Sequence, residues 1–288
     1  MGSDYKNEII QFIISVYKNH EIAFSLKVSN GVYVDVYFPD RHCAIIFNSM
    51  EKVLTDKKVK SNNPHQAEPK IKIVHLWEDQ WVFHEAKIRS KLKSLMGITE
   101  RIHGRETNII SIDNSQLMHF LNVNHLNVPI KAKYKFGLLK DNELVAAMSF
   151  SKGRKIVREN VVFNSYEMLR FCNKLNLTVV GGFSKLLLYF MKIQIPDDVM
   201  TYVDCDWSDG QSFLAKGFEL LERIPSIEFW LNMKTGEREY PHLVLKKHKK
   251  SMLDFESDNE KISFLIKNGY VQIYNTGSYK YILKRKKY

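Results

Sequence analysis

Residues 178–187 carry the most explicit chemical pattern in the chain. A short β-branched run, 178–180, ends at Gly181-Gly182, and Ser184 follows where it can cap a helix whose apolar residues are Leu186, Leu187, Tyr189 and Phe190. A glycine turn between strand and helix lets the backbone bend tightly. The positive end of the helix then favours an anion, so Gly181, Gly182 and Ser184 form a candidate anion site. A glycine turn inside an ordinary α/β core is the alternative reading. Lysines supply a second pattern, in the block Lys246, Lys247, Lys249 and Lys250, at Lys131 and Lys133, and at Lys152, Arg154 and Lys155. Cations in such runs neutralise phosphates without reading bases, although a solvated charge run has the same composition.

Composition bounds what these residues can serve. The chain has 288 residues, 44% of them hydrophobic and 12% aromatic, enough for a real core and more than one typical domain. A net charge of +11 favours a polyanionic partner, and double-stranded DNA is the expected one. Three cysteines, Cys43, Cys172 and Cys205, are widely spaced without a CxxC pair, which suits a reducing cytoplasm rather than a disulfide framework. No apolar run approaches the ~20 residues of a membrane span, so no membrane partner is expected.

Periodicity then orders the elements that must position these groups. A helix is expected over 8–17, followed by strands at 24–29 and 32–38 joined by a turn at Asn30-Gly31. Further strands at 43–47 and 71–77 flank a lysine-rich loop, 52–70, and a helix over 85–96 stops at Gly97. The acidic and aromatic stretch 76–81 reads as a strand end and helix start, with Trp77 and Trp81 in the core. The chain crosses to a second domain over 98–113, giving domains at 1–97 and 98–288. There a helix over 115–122 precedes strands at 136–139 and 143–150, joined by a turn at Lys140-Asp141-Asn142. A strand at 200–203 leads to a helix capped by Ser208 and ended by Gly217, and 268–288 reads as a hairpin turning at Gly277 with a basic tail. The fold class is α/β (α+β).

Two resemblances sharpen this. GGFSKLL at 181–187, the strand motif Tyr202-x-Asp204, and Trp207-Ser208-x-Gly210 ending in Gly217-Phe218 resemble the GNAT acyltransferase fold, in particular its phage Mom-like branch. That resemblance implies a mixed sheet with helices, and a glycine turn cradling the pyrophosphate of an acyl-CoA cofactor. The first domain carries VDVYFPDRHCAIIFNS at 34–49 and IVHLWEDQW at 73–81, which resemble the very-short-patch-repair-like (EDxHD) homing endonucleases of phages, with a PD-(D/E)XK-type nuclease core. FLNVNHLNVP at 120–129 resembles the same phage proteins, with His125 after the helix end.

The second resemblance implies Mg²⁺ held by Asp35 and catalytic positions at Asp35, Asn48, Glu8 and His75. The metal would activate water against a phosphodiester and neutralise charge on the phosphate. This chain has Ile46 where the family carries a carboxylate, leaving Glu51 or His75 as substitutes. The expected function is therefore a metal-dependent DNA endonuclease of the homing class, with the GNAT-like domain holding DNA. The alternatives are an inactivated nuclease acting as a DNA-binding protein, or a Mom-like nucleic-acid-modifying enzyme that uses an acyl-CoA.

Overall fold

The computed structural model describes residues 4–28, 31–50, 71–252 and 257–285. The expected loop 52–70, Glu51, Asn30 of the first turn and the last residues of the basic tail lie outside the described residues.

The first unit is built on apolar alternation along short strands. Helix α1 (Asp4–Val16) buries Ile9, Phe12 and Ile13. Strands β1 (Ala23–Lys27), β2 (Tyr33–Phe38), β3 (Cys43–Asn48) and β4 (Lys72–Trp77) form one sheet in chain order, antiparallel from β1 to β3 and parallel between β3 and β4. Helix α2 (Glu78–Met96) follows directly, with Gly97 in the left-handed region (φ 75°) closing its end as the sequence implies. It begins seven residues before the expected start. Polar residues Glu78, Asp79 and Gln80 are buried in its first turns, and a break at His84 (φ −136°) divides it. Trp77 and Trp81 are both in the core. A mixed α/β layer of this kind is compatible with many chemistries and assigns none by itself.

The larger unit is built around one mixed sheet, with a separate two-stranded parallel pair beside it. Its elements are β5 (Glu100–His103), β6 (Asn108–Ser111), α3 (Asn114–Asn124), β7 (Tyr134–Lys140), β8 (Glu143–Phe150), β9 (Arg154–Arg158) and β10 (Val161–Asn173). They continue through β11 (Leu177–Val180), α4 (Gly182–Gln194), β12 (Asp198–Asp204), α5 (Gln211–Leu214) and β13 (Glu219–Ile224), and the sheet is completed by β17 (Ser278–Lys284). The strand order is β13-β17-β12-β10-β8-β7-β6, with β9 added to the start of β10. Asp113 and Gln116 form a capping box for α3. Asp141 and Asn142 both take positive φ in the β7–β8 turn, as the sequence suggests. Helix α4 lies over this sheet, its Leu186, Leu187 and Phe190 packed with Leu138, Phe150 and Val199.

A third layer interrupts the last pair of strands. Strands β14 (Glu228–Asn232), β15 (Arg238–Glu239) and β16 (Tyr270–Tyr274) make a separate sheet in the order β15-β14-β16. Helices α6 (Pro241–Lys247) and α7 (Asp258–Lys267) cover it, with Trp230, Val244, Leu265 and Tyr270 as its core. The expected terminal hairpin is therefore corrected. Residues on either side of Gly277 belong to different sheets, β16 pairing with β14 and β17 with β12 and β13. Gly277 takes φ 102°, and a side chain there would meet the carbonyl of Ile224 and the backbone of Pro225, so the position suits glycine on both counts.

All three layers meet at Asp206, which is 1% exposed. Its carboxylate accepts from Trp77 Nε1 (2.9 Å), Thr276 N (3.0 Å) and Thr276 Oγ1 (2.6 Å), while its carbonyl accepts from His75 N (2.8 Å). Beside it Arg238 forks onto Asp79 through two 2.8 Å bonds, with its guanidinium 5.6 Å from the centre of the Trp77 ring. Replacing the carboxylate by an amide (Asp206→Asn) turns an acceptor into a donor against donors. Urea unfolding should show a loss of about 2–3 kcal/mol. A change below about 0.5 kcal/mol, the range of ordinary surface substitutions, would mean the seam does not depend on this group.

Candidate active site

The site follows from one irregularity of the sheet. Strands β10 and β12 run parallel but pair only at Ser165–Glu167 against Asp198–Met200. Beyond that point β10 turns toward β8 with a register shift between Met168 and Arg170. Thr201 Oγ1 still donates to the Met168 carbonyl (3.0 Å), but no backbone ladder joins the strands further on. Ligands of open α/β sheets bind beyond the carboxyl ends of parallel strands, where neighbouring strands part. Here that place is a cavity of about 500 Å³ between 168–174 of β10 and 201–204 of β12. Helix α2 borders it through Ser90, Lys91 and Ser94, the end of α3 through 124–127, and Phe183 forms part of its floor.

Helix α4 meets this cavity through Phe183, its second residue. Gly181 stands in the left-handed region (φ 77°) at its N-cap position, and no side chain caps the helix. Its first N–H groups therefore have no intrahelical partner. The helix starts at Gly182, earlier than a cap at Ser184 implies, and Gly181 faces open space. Gly182 is packed tightly instead, since a side chain there would crowd Val179 and Leu138. Lys185 holds the neighbouring loop against the turn by donating to the carbonyls of Gly104 (2.8 Å) and Thr107. Lys216 reaches over the Phe183 ring, with Nζ 5.5 Å from its centre.

The cavity shifts its titratable groups in physically readable ways. Asp204, at the end of β12, is pushed well above the ordinary carboxylate range by burial and by Asp206 beside it; its Oδ1 accepts from Asp206 N (2.9 Å). Cys172, on β10, is pushed up to about 12 by burial and stays a thiol, as does Cys205 at about 12. His125 is pushed down to about 3 by burial and by the charges of Arg170 and Lys91, and its Nδ1 accepts from Asn127 N (3.0 Å).

The residues implied by the nuclease resemblance lie elsewhere, on the first unit. Asp35 accepts from Phe47 N (2.7 Å) and has Lys6 Nζ at 3.7 Å. Glu8 accepts from Trp81 Nε1 (2.8 Å). Asn48 Nδ2 donates to the Ile46 carbonyl (3.3 Å) and lies 3.4 Å from His75 Nδ1, the one pair of the four in contact. Burial pushes His75 down to about 4. Among the described residues no three His, Cys, Asp or Glu side chains converge on a point where an ion could sit. A hard cation such as Mg²⁺ takes about six oxygen donors, so this donor set does not fit it. Ile46 supplies none, and each carboxylate is engaged by a fixed donor.

Lys131, Lys133, Lys152, Arg154 and Lys155 are exposed around the β8 end, where Lys133 N donates to the Phe150 carbonyl (3.1 Å). Arg154 pairs with Glu167 at 3.3 Å. Lys246, Lys247, Lys249 and Lys250 are exposed at the end of α6, Lys247 pairing with Glu239 at 3.3 Å. Sequence reasoning missed Lys91, Lys174 and Lys216 on the cavity. Lys91 had a signal in its spacing of four from Lys87, which puts both on one face of α2.

No family model matches the chain, and no curated protein matches it. Solved structures similar to it include Naa50 of Arabidopsis thaliana in complex with a bisubstrate analogue, at 12% identity over 64% of this chain and 99% of that one, with a TM-score of 0.34. Ard1 from Thermoplasma volcanium shows 11% identity over 63% and 99%, TM-score 0.36. A GNAT family acetyltransferase from Elizabethkingia anophelis with acetyl-CoA bound shows 11% over 62% and 99%, TM-score 0.34. The expected metal-dependent endonuclease is corrected, because among the described residues Asp35, Asn48, Glu8 and His75 form no metal cage and the two carboxylates are held by local donors. Among the described residues no helix is long and apolar enough to cross a membrane.

The His125 ring should remain neutral far below the pH at which an exposed histidine charges. Because its folded value is depressed, its contribution to stability is complete above the ordinary value of 6.5 and is lost as pH falls toward about 3. NMR titration of the isotope-labelled ring checks this; a transition near pH 6.5 would place the ring in solvent.

Proposed function

We propose that the chain is an acyl-CoA-dependent acyltransferase whose acceptor is a nucleic acid. The observation that carries this reading is the parting of β10 and β12, which opens a cavity of about 500 Å³ beside an uncapped helix start. The residues fit the cofactor on three counts. The N–H groups at 182–184 and Lys216 would hold its pyrophosphate, as helix starts hold anions. The β10 edge past Met168 lacks a partner strand on the β12 side, so its backbone groups are available to the amides of the pantetheine arm. Phe171, Phe183 and Phe213 offer an apolar floor, meeting edge to face with centres 5.2 and 5.6 Å apart. When bound, the cofactor supplies an activated thioester carbonyl.

This chain's own residues would do the rest. Asp204 sits half-buried in the cavity with its carboxyl biased toward neutrality, which suits a base that removes the acceptor's proton. Cys172 and Cys205 stay protonated, which favours direct transfer over a cysteine-bound intermediate. The charge of +11 and the exposed lysines of α6 and of the β8 end support a phosphate-bearing acceptor.

Three measurements test the reading. Coenzyme A at 100 times its dissociation constant should stabilise the full chain by about 2.7 kcal/mol. No stabilisation at millimolar coenzyme A would end the proposal. Asp204→Asn should slow transfer of a labelled acetyl group to nucleic acid by about 10²–10⁴-fold. It should leave coenzyme A affinity within about tenfold, because the pyrophosphate and pantetheine contacts are assigned to other groups. Removing Lys249 and Lys250 together should flatten the salt dependence of duplex binding by about 0.9 for each phosphate they neutralise. An unchanged slope would remove the α6 lysines from the interface.

A further inference from the structure

The cavity's charge is not explained by a pyrophosphate at α4 alone. Four cations line it, Lys91, Arg170, Lys174 and Lys216, against one carboxylate, Asp204. Two of the four have evident employment. Lys174 pairs with Glu143, and Lys216 lies over Phe183 and donates to the Ser212 carbonyl (2.8 Å). Lys91, on α2, and Arg170, on β10, remain; among the described residues neither has a carboxylate within ion-pair distance, and Asp204 acts on Lys91 only from further off. Lys91 Nζ is held 4.5 Å from the Trp207 ring centre. Arg170 donates to the carbonyls of Leu169 (2.8 Å) and Val128 (3.4 Å), and its Nε has no partner. Asn173 Oδ1 and Trp207 Nε1, also on cavity-lining residues, are likewise unpartnered. The two cations share one field, since both depress His125 and both oppose the raised thiol of Cys172.

We propose that Lys91 and Arg170, from α2 and β10, form a second anion-binding subsite in the cavity for a phosphate or carboxylate carried by the acceptor or by the transferred acyl group. Two unpaired cations held in a half-buried cavity are stabilised by an anion that bridges them, and the planar guanidinium can meet either group side-on. Lys91 comes from α2, so the first unit completes the cavity of the larger sheet. This deepens the acyltransferase reading and rests on it for the identity of the neighbouring ligand, though not for the anion itself.

The test titrates the full chain with acetyl-CoA, succinyl-CoA and the 5′-phosphorylated dinucleotide pTpT, comparing Lys91→Met, Lys91→Arg and Arg170→Gln with the unaltered protein. Lys91→Met should weaken the anion-bearing probe about tenfold and leave acetyl-CoA within about twofold, with Lys91→Arg close to the unaltered protein. Loss confined to succinyl-CoA assigns the anion to the acyl group, and loss confined to pTpT assigns it to the acceptor. The proposal is overturned if neither probe depends on Lys91, or if acetyl-CoA weakens as much as the anionic probe. Should no coenzyme A thioester bind, the acyltransferase reading falls, and pTpT binding still decides the subsite. Should Arg170→Gln fail to fold, the Lys91 pair decides it alone.

Discussion

A single buried carboxylate holds the three layers of this protein in register. Asp206 follows the last strand of the cavity by two residues, and it takes donors from the first unit (Trp77) and from the segment that returns to the sheet (Thr276). A carboxylate so deep is costly unless every lone pair is met, and here three directed bonds and the nearby Arg238 meet them. The geometry of Asp204 depends on it, because the backbone N–H of Asp206 fixes the Asp204 carboxylate and the charge of Asp206 raises the proton affinity of Asp204. One polar junction thus serves both the assembly and the cavity.

The first unit acquires a different meaning from this arrangement. Its sheet has the strands expected of an α/β layer, but its acidic residues are engaged in local bonds rather than gathered around an ion. What it contributes to the larger sheet is a helix face. Ser90 Oγ accepts from Asn176 N (2.7 Å), and Lys91 enters the cavity one residue later. β5, just after that helix, pairs in parallel with β11 and steadies the strand that leads into the glycine turn. The unit therefore borders the cavity through α2.

The inserted layer acts from the other side. Arg238 crosses to Asp79, and Tyr240 at the start of α6 contributes to the field at Arg170. Its small core, centred on Trp230 and Tyr270, is independent of the main sheet. Lysines on α6 can thus face solvent while the sheet beneath remains anchored at the seam.

Much of the local structure was written in the chain. Apolar spacing gave α1 and α4, Gly97 gave a helix end, Asp141-Asn142 gave a left-handed turn, and the Gly181-Gly182 turn marked the helix start beside the cavity. These are decided within a few residues, by side-chain spacing and by the cost of positive φ, so sequence suffices. The cavity was not legible. Whether β10 and β12 stay paired, whether Asp204 stands beside Asp206, and whether Lys91 points into the sheet's cleft depend on groups brought together from distant segments. The nuclease reading failed for the same reason. Asp35 and Glu8 have the right residue type, but a metal site is a convergence of donors in space, and here the tertiary contacts turn each carboxylate to a backbone or indole N–H. Sequence determined the elements; packing across the Asp206 seam decided which charged groups could act together.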